Sequence, residues 1–335
     1  MRFSRIFPKL SRSFLATLRA RGEKWLKRAE IPATEVPRSS QRPAGRFVLA
    51  RYTNPSGTRA YKTYIPARDE GQARPLVVML HGCKQSPDDF AAGTRMNELA
   101  DEMGFIVAYP EQACAANASR CWNWFQAADQ QRDDGEPSLI AGITRVVIAR
   151  YNANSRRVYV AGLSAGGAMA AIMGHTYSDL YAAIGIHSGL AYAAARDIPS
   201  ALAAMRGRSF RADPRCAEST FQAVPTIVFH GDLDTTVHSS NGAQVIAQAT
   251  PAGDDLVTAA VAPQSVEKGE ESGRRYTRTV SAGKLALEHW LVHGAGHAWS
   301  GGSVNGSYTD PRGPDASRAM LRFFLPSARA VSAAA

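Results

Sequence analysis

The pentapeptide Gly162-Leu163-Ser164-Ala165-Gly166 lies between an apolar, β-like run, Val158-Tyr159-Val160-Ala161, and a small-residue stretch from Gly167 to Met173. Strand propensity before a Gly-x-Ser-x-Gly turn and helix propensity after it describe a sharp strand-to-helix corner. Such a corner strains its central residue. Side chains at either flank would collide with the neighbouring strand or helix, which accounts for the glycines and for Ala165. The bend lifts the Ser164 hydroxyl clear of a sheet and aims the first free amides of the following helix at the place where an oxyanion would form. In a chain with 28 glycines the bare pattern is also compatible with an ordinary turn, so its flanks carry the weight.

A serine hydroxyl is almost wholly protonated near neutrality and needs an imidazole base oriented by a carboxylate. Downstream, Pro225-Thr226-Ile227-Val228-Phe229 reads as a strand and runs into His230-Gly231-Asp232-Leu233-Asp234. Asp234 is preferred to Asp232, because the Gly231 turn leaves room for a loop that carries the later aspartate to the site. The alternative is that both cap the next helix or complete the turn. Leu285 to Val292 reads as a late strand, and His297 follows a Gly-Ala-Gly loop able to swing an imidazole over the sheet edge. His297 is therefore preferred to His293 at the strand's mouth and to His289 inside it, the latter expected to be structural. Pro75 to Leu80 is a buried strand followed by His81-Gly82-Cys83-Lys84-Gln85. Gly82 permits close backbone approach, so the Cys83 amide is expected to pair with that of Ala165 as oxyanion donors. His81 is expected to brace this loop.

Leu80-His81-Gly82-Cys83, Cys121-Trp122-Asn123-Trp124, Gly162-Leu163-Ser164-Ala165-Gly166-Gly167, His230-Gly231 with Asp234, and Gly296-His297-Ala298-Trp299 occur in that order. Together they resemble the polyhydroxybutyrate depolymerase family of esterases, from about residue 46 to residue 325. The resemblance implies an α/β-hydrolase fold, a Ser164-Asp234-His297 triad and carboxylester substrates, with poly- or oligo(3-hydroxybutyrate) or similar short hydroxyalkanoate esters foremost. Acetylxylan and feruloyl esterases are near relatives. No metal or organic cofactor is implied. The resemblance also implies a Cys83–Cys121 bridge, which would clamp the oxyanion loop against the Trp122–Trp124 segment and would need an oxidising compartment. Cys114 and Cys216 belong to no recognised motif, and their pairing stays open. Trp299, Trp122 and Trp124 are expected to line an acyl pocket, with core packing the alternative for Trp122.

Three stretches are expected: an N-terminal extension and Pro-rich linker at 1–45, a catalytic domain at 46–326 and an Ala-rich tail at 327–335. Within the domain, Arg46–Arg51 and Thr58–Ile65 suggest an opening hairpin around Asn54-Pro55-Ser56-Gly57. A helix is expected from Asp88 to about Met103, a strand over Phe105–Tyr109, and a helix from Pro137 through Tyr151. A further buried strand is expected over Ala183–His187 and a closing amphipathic helix over Ser317–Phe324. Alternation of strands and helices predicts a mainly parallel central sheet covered on both faces.

The net charge of +10 is unevenly placed: residues 1–46 hold 12 Lys and Arg against 3 Asp and Glu, leaving the body near neutral. No recognition module accompanies the charge, so nucleic acid is not an expected partner. In the extension, Phe3, Ile6, Phe7, Leu10, Phe14, Leu18, Trp25 and Leu26 recur near helical spacing among Arg5, Lys9, Arg12, Arg19 and Lys24. This pattern suits peripheral contact with a membrane or a polyester granule, or a helix docked on the body. Its apolar runs are too short for a membrane span or an ordinary secretory signal. The resemblance and the cysteines favour an extracellular location, with the cytoplasm as the alternative. Because little follows Pro326, soluble oligomers or small esters are expected to be better substrates than crystalline polymer. A reading from another class is a surface-binding protein whose arm is the functional part.

Overall fold

The computed structural model describes residues 45–67, 71–208, 223–250, 263–281, 283 and 285–325. The amphipathic arm, Cys216 and the Ala-rich tail lie outside the described residues. The chain enters through an antiparallel hairpin, β1 (Arg46–Asn54) and β2 (Gly57–Ile65), whose turn is held by the Asn54 side chain accepting the Ser56 amide at 2.9 Å. Strands and helices then alternate: β3 (Arg74–Leu80), α1 (Pro87–Thr94), α2 (Met96–Met103), β4 (Ile106–Pro110), α3 (Gly135–Tyr151) and β5 (Ala153–Leu163). They continue through α4 (Ala165–Thr176), β6 (Ala183–His187), α5 (Ile198–Met205), β7 (Thr226–Gly231) and α6 (Ser240–Ala249). A second hairpin, β8 (Pro263–Glu271) and β9 (Arg274–Ser281), precedes β10 (Leu287–Val292), the short β11 (Trp299–Ser300) and β12 (Thr309–Asp310), and α7 (Ala316–Phe324).

Among the described residues, ten strands form one sheet in the order β1-β2-β4-β3-β5-β6-β7-β10-β9-β8. The central run from β4 to β10 is parallel, and each edge is an antiparallel hairpin. Parallel strands need covering on both faces, and the side-chain period of two divides them cleanly. Leu76, Val78, Leu80, Val158 and Val160 pack with Ile140, Ile143 and Val147 of α3 and Met169 and Met173 of α4. Val77, Met79, Tyr159 and Ala161 point the other way, to Phe90 of α1, Leu99 of α2 and Met320 and Phe324 of α7. All are buried, and truncating one of the larger aliphatics to Ala would cost about 2–5 kcal/mol.

Two departures from expectation have physical causes. The run from Asp88 to Met103 is two helices, broken at Arg95, which has φ 54°. Its guanidinium donates to Asp315 Oδ2 at 2.7 Å and to the Gly301 carbonyl at 3.1 Å, so the break anchors the segment to the loop after β11. The β8–β9 hairpin has no sequence expectation, because Val266-Glu267-Lys268-Gly269-Glu270-Glu271 and Arg274-Arg275-Tyr276-Thr277-Arg278 carry too much charge to show an apolar alternation.

Candidate active site

Ser164 joins β5 to α4 with φ 58° and ψ −121°, outside the regions open to unstrained L-residues. Such a conformation costs on the order of 1–3 kcal/mol and persists only where the surroundings impose it. Here they do. The Ser164 amide donates to the His187 carbonyl at 2.9 Å, and its carbonyl accepts from Ala168 at 2.9 Å. A Cβ on Gly166 would run into the carbonyl oxygens of Leu80 and His81, and one on Gly162 would lie 2.7 Å from the Leu80 oxygen. These close approaches explain both glycines. Ala165 opens α4, so its amide has no intrahelical acceptor.

Asp234 and His297 meet. Asp234 follows β7 and is fully buried at its side chain, while His297 retains 13% exposure. The Asp234 Oδ1 accepts the amides of Thr236 at 2.9 Å and Val237 at 2.8 Å, and Oδ2 accepts His297 Nδ1–H at 2.7 Å. His230 Nε2, which donates to the Val237 carbonyl at 2.8 Å, lies 3.5 Å from the same Oδ2. Burial pushes the carboxyl up, but His230, His297 and the Val237 amide outweigh it and hold Asp234 well below the usual carboxylate range. An ionised carboxylate only accepts, so His297 carries its proton on Nδ1 and leaves Nε2 free to take one.

The two residues set aside in the sequence also pair, with each other. His293 Nδ1 lies 2.9 Å from Asp232 Oδ2, Gly294 donates its amide to Asp232 Oδ1 at 2.7 Å, and Thr277 Oγ1 is 2.9 Å from His293 Nε2. His289 lies within β10.

The loop after β3 is fastened from several sides. Gln85 Oε1 accepts the Gly82 amide at 2.9 Å, while Gln85 Nε2 donates to Asp89 Oδ2 and to the Ser307 carbonyl, both at 2.9 Å. Lys84 donates its amide to Ser119 at 2.7 Å, and Cys83 is bridged to Cys121. His81 braces the loop from beneath: Nδ1–H donates to the Gly82 carbonyl at 2.7 Å and Nε2 accepts the Gln112 amide at 3.1 Å. Burial pushes its pKa down to about 4, consistent with that neutral tautomer. The far end of the bridge rests on buried Glu136, which accepts Asn123 N at 2.8 Å and Asn123 Nδ2 at 2.9 Å. Burial and then Asp129 push Glu136 up to about 7, against the pull of Gln112, the Asn123 amide and Arg59.

The three tryptophans expected at an acyl pocket are placed in the interior. Trp122, Trp124 and Trp299 are 0, 6 and 1% exposed. The Trp122 indole donates to the His81 carbonyl at 3.1 Å and that of Trp299 to Ser317 Oγ at 3.0 Å. In this arrangement they hold loops in place and offer almost no surface to an ester. Gln85 and His230 carry contacts to the site that sequence reasoning missed. Their only signal is adjacency, Gln85 three residues past Gly82 and His230 just before Gly231. Cys114 is a free, exposed cysteine. Among the described residues no group of three or more His, Cys, Asp or Glu could hold a metal ion.

A parallel sheet with a strained serine at the end of β5, and an acid and an imidazole delivered by the loops after β7 and β10, defines the α/β-hydrolase fold. The acetyl xylan esterase from Aspergillus awamori superposes with a TM-score of 0.66 at 21% identity, covering 83% of this chain and 98% of that one. The family model for esterase PHB depolymerases matches residues 59–273, and the chain belongs to that family. Among curated relatives, feruloyl esterase B of Neurospora crassa is 38% identical over 143 residues, 42% of this chain and 47% of that one. Poly(3-hydroxyalkanoate) depolymerase C of Paucimonas lemoignei is 32% identical over 206 residues, 59% of this chain and 49% of the other. Acetylxylan esterase A of Talaromyces purpureogenus is 35% identical over 141 residues, 41% and 35% of the two chains. The chain thus spans about half the length, or less, of these relatives.

Proposed function

We propose that this protein is a serine carboxylesterase in which Ser164 is the nucleophile, His297 the general base and then acid, and Asp234 the carboxylate that fixes and stabilises the imidazole. The observation that carries this reading is the buried Asp234 carboxylate 2.7 Å from His297 Nδ1, at the same sheet edge where β5 ends in strained Ser164. His297 Nε2 takes the Ser164 proton as Oγ attacks the ester carbonyl. The amides of Cys83 and Ala165 hold the tetrahedral oxyanion, and the alcohol leaves with the proton from His297. Water then repeats the cycle on the acyl-enzyme and releases the acid. Ser164→Ala should lower p-nitrophenyl acetate or butyrate turnover by about 10⁴-fold or more. Unchanged turnover in that variant would overturn the assignment.

The proposed substrates are oligomers of 3-hydroxybutyrate or similar short hydroxyalkanoate esters, as the family and the Paucimonas relative support. Plant-polysaccharide esters form the second reading, favoured by relatives named as feruloyl and acetylxylan esterases at 38 and 35% identity. A panel of hydroxybutyrate oligomers, acetylxylan and methyl ferulate ranks them by kcat/KM. An extracellular or otherwise oxidising location is proposed on the Cys83–Cys121 bridge, since such bonds persist in that setting.

A further inference from the structure

His187 ends β6, in register with Leu163 of β5 on one side and Phe229 of β7 on the other. It therefore stands between the strand that delivers the serine and the strand that delivers the aspartate. Its main-chain carbonyl accepts the amide of Ser164 itself at 2.9 Å. Its side chain reaches a different segment: ring Nε2 accepts the amide of Ser300, three residues beyond His297, at 3.0 Å. Nδ1 lies 3.2 Å from Ser188 Oγ. The ring is stacked between Trp299, at 5.1 Å and 25°, and Phe229, at 5.8 Å and 18°.

We infer that His187 is a positioning residue that sets the separation between the Ser164 corner and the His297 loop by holding the backbone of both. Nε2 can accept an amide only in the neutral ring with its proton on Nδ1, where Ser188 Oγ receives it. Burial first, and then the neighbouring His230 and His297 imidazoles, push the His187 pKa down to about 3 against the pull of Asp234, so the ring is neutral at working pH. The stacking rings fix its plane. Ser188 fixes its tautomer. What remains is a single acceptor aimed at the chain that carries the base. Proton transfer from Ser164 to His297 depends steeply on their separation, and a misplacement of about 1 Å can cost roughly 10²-fold in rate. A side chain that only filled space would leave that separation to the loop alone.

The inference rests on the triad reading above, and the variants separate the two. His187→Phe keeps a flat ring between Trp299 and Phe229 but removes the acceptor. On p-nitrophenyl butyrate its kcat should fall roughly 30- to 100-fold with KM within about twofold, as expected when an interaction acts only in the transition state. His187→Gln places an amide oxygen near the former Nε2 and should recover kcat to within about fivefold of the parent. Ser188→Ala, a small change that spares the ring, should lose about three- to tenfold through the looser tautomer. A His187→Phe enzyme within threefold of the parent, a Gln variant no better than Phe, or a Ser188→Ala enzyme at full rate would each overturn the inference. If Ser164→Ala is dead while His187→Phe is fully active, this inference alone falls. If Ser164→Ala is active, the triad reading falls with it.

Discussion

The loops after β7 and β10 hold two aspartate–histidine pairs side by side, Asp234 with His297 and Asp232 with His293, at 2.7 and 2.9 Å. The outer pair even reaches a hydroxyl, since His293 Nε2 lies 2.9 Å from Thr277 Oγ1. Carboxylate, imidazole and hydroxyl are therefore connected on the outer pair, and connection alone does not make an active site. Asp232 and His293 are 32 and 34% exposed, whereas Asp234 is fully buried and accepts two backbone amides besides its imidazole. Thr277 sits in mid-strand, paired with β8 and β10 on either side. Ser164 is strained at the mouth of a helix whose first amides are free. On the proposed reading, the difference lies in a nucleophile forced into place and nearby N–H donors. Without them the outer relay is a strap that ties the β7 and β10 loops to β9.

Neutralising each aspartate in turn separates the roles of the two pairs. Asp234→Asn should lower kcat by about 10⁴-fold, because the amide stabilises the wrong imidazole tautomer and no imidazolium. Asp232→Asn and Thr277→Val should each stay within about threefold on the same soluble ester. The reverse ranking would exchange the roles of the two pairs.

The placement of Asp234 and His297 in loops at strand ends was legible in the sequence, for reasons particular to them. Asp234 and His297 each follow a β-branched or alternating run and a glycine-containing turn, a local pattern that marks a loop at a strand's end. Gly162, Ser164 and Gly166 advertise a close backbone approach in their own composition. What the sequence hides is partnership. That Asp232 takes His293 follows from β7 lying beside β10, a contact between residues 61 positions apart. Gln85 carries no motif of its own and gains its role only when the Ser307 loop folds against it. Trp124 and Trp299 misled in the opposite direction, whereas Trp122 follows its core-packing alternative. Large aromatics near a reactive histidine look like pocket walls, but Trp299 is consumed by packing against Phe90 and His187 and by Ser317.

A smaller effect is expected at the proposed oxyanion loop, which has no counterpart beside the outer pair. Gln85→Leu strips the Gly82 amide of its acceptor and frees the loop from Asp89 and Ser307. Displacing one oxyanion donor costs up to about 10²- to 10³-fold, so partial loosening should lower kcat by roughly 10- to 100-fold with KM little changed. Removing the bridge with Cys83→Ser and Cys121→Ser tests the same loop from its other end. Stability should fall by about 2–4 kcal/mol in denaturant unfolding, with kcat lowered about tenfold. A double variant as active as the parent would mean that Gln85 and His81 suffice to set the Cys83 amide.

The smallest expected effect concerns what surrounds the inner pair. Burial holds His81 and His289 down to about 4 and His187 to about 3, with His230 also depressing the latter two. The unfolded chain takes up protons on these residues near pH 6.5, whereas the folded chain does so only near pH 3 to 4. Between those limits the unfolded state binds more protons, so stability rises with pH and is lost as pH falls from about 6.5 toward 4. Glu136, pushed up to about 7, gains its folded-state proton over the same range and offsets about one of these imidazoles, so the melting temperature should drop by only a few degrees between pH 7 and pH 5. His289→Gln, which cannot protonate, should flatten that slope while leaving the strand in place. A slope identical to the parent's in that variant would remove His289 from the set. A melting temperature constant from pH 7 to 5 would mean that protonating these buried imidazoles costs no more than the opposite contribution of Glu136 over the same range.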